Sequence, residues 1–219
     1  MQIFIDTANL KDIDEINEWG IIEGCTTNPK IVAQEKVGNF ETRMKEILVK
    51  INGPVSIEVT TNDTQEMIKE AETYNSWGNN VVVKIPMTIE GLKAVKILTE
   101  KGIKTNVTAC MNTNQAILAG KAGATYVSLF WGRIEDLGYN ATRIIEETAD
   151  IFKKHDFKSK IIVGSFREVS HVQQAFSTGA HVLTITPNII KKLPIHPRTE
   201  STIQEFLDFW AEFKKNEKK

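Results

Sequence analysis

The sequence predicts an α/β fold in which eight parallel strands, alternating with helices, close into a barrel, with one further helix after it. Two observations predict it. Strand-length apolar segments recur eight times with helix-compatible stretches between them, and most of these segments end in a polar residue.

In chain order the segments are QIFID (2–6), IIEGC (21–25), VSIEV (55–59), NVVVK (80–84), IKTNVT (103–108), TYVSLF (125–130), KIIVGS (160–165) and HVLTIT (181–186). Between them, one helix opens at Asp63-Thr64-Gln65-Glu66, capped by Asn62 or Asp63, and runs to about Trp77. Residues 88–98 and 140–152 carry apolar groups at helical spacing. An amphipathic helix follows at 202–213, with Phe206, Leu207, Phe209, Trp210 and Phe213, and the lysine-rich tail 214–219 reads as a frayed, solvated end. Strands separated by helices imply βα units and a sheet covered on both faces, and eight strands are the number that closes a TIM barrel. An open doubly wound sheet is the alternative. Against it, no Gly-x-Gly-x-x-Gly follows the first strand, and no phosphate-binding Gly-x-x-x-x-Gly-Lys-Ser/Thr occurs. No linker or low-complexity tract divides residues 1–219, which read as one barrel domain ending in the 202–213 helix.

Composition narrows the function. The 27 basic and 28 acidic residues leave no positive face for a phosphate backbone, which argues against a nucleic-acid partner. No apolar run approaches a membrane span, and residues 1–6 alternate like a strand and unlike a leader, so a cytoplasmic protein is expected. Cys25 and Cys110 have no metal-ligand spacing and read as small apolar residues of a reducing compartment, with one buried disulfide as the alternative. The four histidines lie apart with no ligand partner in sequence, which argues against a metal site. His181 belongs to a strand start, at the wrong end of a barrel for chemistry, and His196 to a loop between Pro194 and Pro197.

The strand ends carry the functional signal, because in a barrel they converge on one mouth. The first ends in Asp6 and the second is followed by Thr26-Thr27-Asn28-Pro29. The third carries Glu58 and the fourth Lys84. Asn106 and Thr108 lie two apart on one face of the fifth, as do Ser128 and Phe130 on the sixth, with Arg133 just beyond. The seventh ends in Ser165, followed by Arg167. Taken singly, each has an ordinary reading. Asp6 fits a helix cap, Thr26 to Asn28 a capped turn, and Arg133 and Arg167 rim charges whose surface pairs contribute little. Glu58 is harder to explain away, since burying an unpartnered carboxylate is costly.

Lys84 shares a strand face with Val82 and so can point into the barrel, while Pro86 stops the strand. A lysine amine attacks a carbonyl only when deprotonated. Bringing it from about 10.4 to about 7.5 takes roughly 4 kcal/mol of differential destabilisation of the ammonium. Apolar neighbours supply that by desolvation, whereas a close carboxylate opposes it. The valines therefore favour a carbonyl-trapping lysine, against the alternative of a rim lysine that snorkels to water.

These residues together resemble the transaldolase family, in its short branch, which also contains fructose-6-phosphate aldolases. The resemblance runs along nearly the whole chain through Ile5-Asp6-Thr7-Ala8, Thr26-Thr27-Asn28-Pro29, Val83-Lys84-Ile85-Pro86 with Thr88-Ile89-Glu90-Gly91-Leu92, Thr105-Asn106-Val107-Thr108, Gly132-Arg133 and Ser165-Phe166-Arg167. It implies a cofactor-free class I aldolase chemistry on a (β/α)8 barrel. Lys84 would form the Schiff base and Asp6 would shuttle a proton at the C4 hydroxyl. Glu58 and Thr108 would hold a catalytic water. Thr26, Thr27, Asn28 and Asn106, with Ser128 nearby, would sit around the dihydroxyacetone part, and Arg133, Ser165 and Arg167 would bind phosphate. Transaldolases of this branch typically carry glutamate at the Glu58 position, where the aldolases carry glutamine. The aldolases also tend to carry a tyrosine where Phe130 stands. Both positions imply transfer to an aldehyde instead of release. The resemblance also implies a pentamer or decamer in which the C-terminal helix reaches a neighbouring subunit; closure of the chain's own barrel is the other use for that helix. Leu129, Trp131 and Ala109-Cys110-Met111 depart from the family pattern. Cys110 and Met111 read as core, and Trp131 either packs outward or narrows the mouth.

Overall fold

A computed structural model describes residues 1–36 and 38–217. Its elements are β1 (Gln2–Asp6), α1 (Leu10–Asn17), β2 (Gly24–Thr26), α2 (Pro29–Gln34), α3 (Phe40–Lys50), β3 (Val55–Glu58), α4 (Thr64–Asn75), β4 (Val81–Pro86), α5 (Ile89–Glu100), β5 (Thr105–Cys110) and α6 (Thr113–Lys121). They continue as β6 (Tyr126–Phe130), α7 (Trp131–Asp136), α8 (Ala141–Lys154), β7 (Lys160–Gly164), α9 (Val169–Ala175), β8 (Val182–Ile185), α10 (Pro187–Ile190) and α11 (Pro197–Glu217). The eight strands pair in parallel in sequence order, and β8 pairs back onto β1, which closes the barrel. The (β/α)8 expectation is met, with α11 as the additional helix.

Helix starts follow local capping chemistry. Asp63, not Asn62, caps α4, its Oδ1 accepting from the backbone N–H groups of Gln65 and Glu66 at 2.9 and 3.0 Å. Thr88 caps α5 through Gly91 N, and Asn140 caps α8 through Arg143 N. Two boundaries differ from the sequence pattern. The second strand starts at Gly24, leaving Ile21 and Ile22 in the preceding loop. Pairing begins where Phe4 meets Gly24, and a Cβ on Gly24 would lie 2.6 Å from the Phe4 ring, so the aromatic fills the place of a side chain. The last helix is longer than 202–213. Pro197 starts it, since the first helical turn needs no N–H there, and His196 Nδ1 accepts from Arg198 N at 3.2 Å. It runs on through Lys214, whose Nζ donates to Glu217 at 2.9 Å, so the expected frayed tail is helical to Glu217; residues 218 and 219 lie outside the described residues.

Two apolar layers hold the barrel. Outward-facing strand residues such as Ile5, Ile57, Val83, Ile85 and Val127 pack under the helices in one continuous core. Inside, Phe4, Val82, Tyr126, Ile162 and Val182 form a separate plug, with Phe4 and Tyr126 edge to face at 6.3 Å. Cys25 and Cys110 are buried free thiols, so no disulfide joins them. Burial raises both, Cys110 to about 12. No helix among the described residues is long and apolar enough to cross a membrane. α11 buries none of its side chains, and Ile203, Phe206, Leu207, Phe209, Trp210 and Phe213 are all exposed.

Candidate active site

Because side chains alternate along a strand, the residue two positions beyond each plug residue also faces inward, one layer nearer the C-terminal mouth. Val82 leads to Lys84 in this way, Phe4 to Asp6, Tyr126 to Ser128, Ile162 to Gly164 and Val182 to Thr184. Gly24 and Thr26 stand in the same relation on β2, and Ser56 and Glu58 on β3. The polar layer thus rests directly on a dry floor and lines a cavity of about 360 Å³.

Lys84 sits at the centre, 4% exposed. Its Nζ lies 3.1 Å from Glu58 Oε2, donates to the Thr27 carbonyl at 3.1 Å, and stands 6.0 Å over the Phe130 ring. Adjacent register of Glu58 with Lys84 accounts for the first contact. Valine desolvation is therefore not the whole environment of this amine. Two oxygen acceptors hold its protons, and a nucleophilic form requires one to leave, with Glu58 the nearest carboxylate to take it.

Asp6 caps no helix, since Asn9 caps α1. Its Oδ1 accepts from Thr26 Oγ1 at 2.7 Å, and Thr26 Oγ1 lies 2.5 Å from Thr184 Oγ1. Asp6 is partly buried at the cavity wall, and the protein packed around it desolvates its carboxyl. That desolvation raises its pKa above the usual carboxylate value, against the pull of Lys84 and the Thr26 hydrogen bond, while Glu58 adds to the rise.

Asn106 is fully buried, its Oδ1 accepting from Ser128 at 2.7 Å and its Nδ2 donating to Ser56 at 3.1 Å. Two residues on, the buried Thr108 hydroxyl has no hydrogen-bond partner, although Thr108 lines the cavity. Thr27 presents only its backbone here, since its hydroxyl turns outward and donates to Ser56 O at 2.8 Å. Asn28 borders the cavity while capping α2 through Ile31 N.

At the rim, Arg133 on α7 and Ser165 line the same cavity. Ser165 has φ +63° and Ala109, where β5 bulges, φ +61°. Both side chains border the site in a backbone region that costs a non-glycine residue about 1 kcal/mol or more, and such strain clusters at functional sites. Gly132 N donates to Ser165 O at 3.1 Å, locking the two rim turns together. Arg167 is turned instead to Asp136, an exposed pair whose hydrogen bond lowers the Asp136 carboxyl, and it does not line the cavity. Trp131 packs outward. It is fully buried between Phe166 and His171, so it leaves the mouth open.

Of the residues singled out by sequence, the cavity gathers Asp6, Thr26, Asn28, Glu58, Lys84, Thr108, Ser128, Phe130, Arg133 and Ser165, with Asn106 just beneath. Thr184 and Ser56 were missed. For Thr184 the signal was a polar residue two places from the apolar Val182, the same pattern that marked Lys84; for Ser56 it was a shared strand face with Glu58. A roomier groove of about 690 Å³ beside α8 and the turn before β8 brings together no comparable lysine and carboxylate pair. His181 borders that groove at the start of β8, its Nδ1 accepting from Ile161 N at 3.0 Å. Burial, with Lys160 and the N-terminal amine, lowers its pKa. Among the described residues no three His, Cys, Asp or Glu side chains cluster as a metal site.

Residues 3–219 match the sequence pattern of the transaldolase/fructose-6-phosphate aldolase family. The chain belongs to this family. A probable transaldolase of Shouchella clausii (strain KSM-K16) is 48% identical over 210 residues, covering 96% of this chain and 97% of that protein. One of Streptococcus pyogenes serotype M5 (strain Manfredo) is 46% identical over 215 residues, covering 98% of this chain and all of the relative. Among solved structures, a point mutant of flavocytochrome b2 superposes with a TM-score of 0.60 at 13% identity, over 85% of this chain and 57% of that one. This last likeness is one of fold alone. In this chain a lysine on the fourth strand stands beside a carboxylate on the third, and a carboxylate on the first borders the same cavity.

Proposed function

We propose that the protein is a transaldolase, moving a dihydroxyacetone unit from a ketose phosphate, sedoheptulose 7-phosphate or fructose 6-phosphate, to an aldose phosphate. The observation that carries this reading is the one buried lysine amine among the described residues, Lys84 Nζ, 3.1 Å from Glu58 and sharing its cavity with Asp6. Lys84 passes a proton to Glu58 and its amine adds to the C2 carbonyl, giving a carbinolamine. Glu58, with a water held against the unpartnered Thr108 hydroxyl, returns a proton to the C2 hydroxyl, which leaves as water to give the imine. Asp6 takes the C4 hydroxyl proton as the C3–C4 bond breaks; the bond's electron pair passes into the protonated imine and the aldose leaves. The incoming aldose phosphate reverses these steps. No cofactor is called for, because the imine accepts the electrons. Asn28 and Asn106 with Ser128 hold the three-carbon hydroxyls, and Arg133 with Ser165 takes the phosphate. Arg167 joins them by exchanging Asp136 for phosphate, a better bidentate partner for guanidinium.

Glu58 and Phe130 support transfer over release, since Phe130 brings no hydroxyl to hand a proton to the bound three-carbon unit. We read residues 1–219 as one catalytic barrel that works in the cytoplasm, and the exposed apolar face of α11 as the contact of a homo-oligomer, pentameric or decameric. Light scattering on the intact chain measures that state, and a monomer at working concentration would refute it.

Borohydride trapping with fructose 6-phosphate, followed by peptide mapping, tests the mechanism. The adduct is expected on Lys84 and absent from Lys84→Met; an adduct elsewhere, or none, overturns it. Turnover of fructose 6-phosphate should require erythrose 4-phosphate. Strong turnover without that acceptor would identify a fructose-6-phosphate aldolase releasing free dihydroxyacetone.

A further inference from the structure

Thr184 has no part in the chemistry described so far, yet it is tied into it by the shortest hydrogen bond of the site. Its Oγ1 lies 2.5 Å from Thr26 Oγ1, which lies 2.7 Å from Asp6 Oδ1. Each hydroxyl has one proton to give, and an ionised carboxylate can only accept. The Thr26 proton therefore goes to Asp6, which obliges the Thr184 proton to go to Thr26. The direction of the chain is fixed by the charge at its end.

The rotamer of Thr184 is fixed as well. A Cβ on Gly164 would lie 2.7 Å from the Thr184 Cγ2, so the methyl occupies the place of a Gly164 side chain. With χ1 stiff in a β-branched residue, seating the methyl there aims the hydroxyl at Thr26. Register puts Thr26 opposite Asp6 on one side of β1 and Thr184 opposite Phe4 on the other, so the two hydroxyls meet inside the barrel above Phe4.

We propose that Thr184 is a positioning residue for Asp6. By donating to Thr26 it holds the Thr26 proton on Asp6 Oδ1, which leaves Oδ2 as the oxygen that exchanges a proton with substrate. The inference rests on the proton-shuttling role proposed for Asp6. The charged groups facing Asp6 are Lys84 from β4 and Glu58 from β3, while the Cys25 thiol of β2 lies close by on the outer face of the sheet. Thr184→Val leaves all of these in place. It keeps the methyl against Gly164 and removes one hydroxyl.

Without its donor, Thr26 is free to rotate and stabilises the Asp6 carboxylate less. The acid limb of the pH–kcat profile should move up by about half a pH unit, a roughly threefold loss of kcat on that limb. KM for fructose 6-phosphate and the borohydride adduct on Lys84 should stay as in wild type, and Thr184→Ser should return the limb. Titration of the 13C-labelled Asp6 carboxyl by NMR reads the same shift without turnover. Thr184→Ala serves if the valine variant does not fold. An unchanged limb and carboxyl titration in the valine or alanine variant overturns the inference, as does a serine variant no better than valine. If wild type formed no Lys84 adduct, the mechanism would fall, while the carboxyl titration would still decide whether Thr184 controls Asp6.

Discussion

Asp6→Asn should separate stability from activity. Two carboxylates, Asp6 and Glu58, share one ammonium, and Glu58 already holds it at 3.1 Å. Asp6 is thus the surplus charge in a desolvated place, and its raised pKa records that burial outweighs the attraction of Lys84. Asparagine keeps the shape and can still accept from Thr26, but brings no charge to desolvate. The variant should gain about 1 kcal/mol at pH 7.5, which for a chain of this size is roughly 2–4 °C in Tm. The pH dependence has a definite sign. Because the folded protein holds the Asp6 proton more tightly than the unfolded chain, wild type recovers stability as pH falls through the raised folded value. The advantage of the variant should therefore be complete above that value and gone below about 3.9, the ordinary aspartate value. Calorimetry of both proteins at pH 7.5 and pH 3.5 measures this, and coupled transfer from fructose 6-phosphate to erythrose 4-phosphate should show kcat down by about 10²–10⁴. A variant that melts below wild type at pH 7.5 would refute the reasoning, because attraction to Lys84 would then exceed the cost of burial. So would an advantage that persists unchanged at pH 3.5.

Three further outcomes follow from the same geometry. Glu58→Gln removes the carboxylate that accepts from Lys84, so imine formation, read as the initial rate of borohydride trapping, should slow by about 10²-fold. Arg133→Ala should raise KM for phosphorylated substrates about 10–100-fold, the worth of a charged hydrogen bond, and leave KM for the unphosphorylated acceptor glyceraldehyde near wild type. Trp131→Ala empties a fully buried site and should cost about 3–5 kcal/mol in denaturant unfolding, without the substrate selectivity of the Arg133 variant.

Much of the barrel was legible because its strands are bounded by turn residues and its helices by caps. The exceptions are instructive. Ile21 and Ile22 read as strand by hydropathy, but pairing starts at Gly24, a position decided by the ring of Phe4 from another strand. The expected end of α11 at 213 moved because lysines near a helix C-terminus support it instead of fraying it. In the site, the period-two rule was enough to pick out Lys84, Asn106 and Thr108. It failed at Thr27, whose side chain faces the helices and whose carbonyl alone reaches Lys84. Arg167 shows another limit, since its distance to Asp136 depends on a pairing that no local pattern records. Thr184 went unread because a threonine in a strand is ordinary; its meaning comes from Thr26, 158 residues away.

The plug of Phe4, Val82, Tyr126, Ile162 and Val182 makes the barrel a vessel sealed at one end. The cavity above it opens at the mouth, so in the proposed reaction solvent and sugar would share one entrance. On the transfer mechanism proposed above, the position vacated by the departing aldose would be the route for both an incoming acceptor and a proton from water. Competition for that single doorway makes acceptor concentration a direct control on the lifetime of the bound three-carbon fragment. Hydrogen–deuterium exchange at its C3 would serve as the clock.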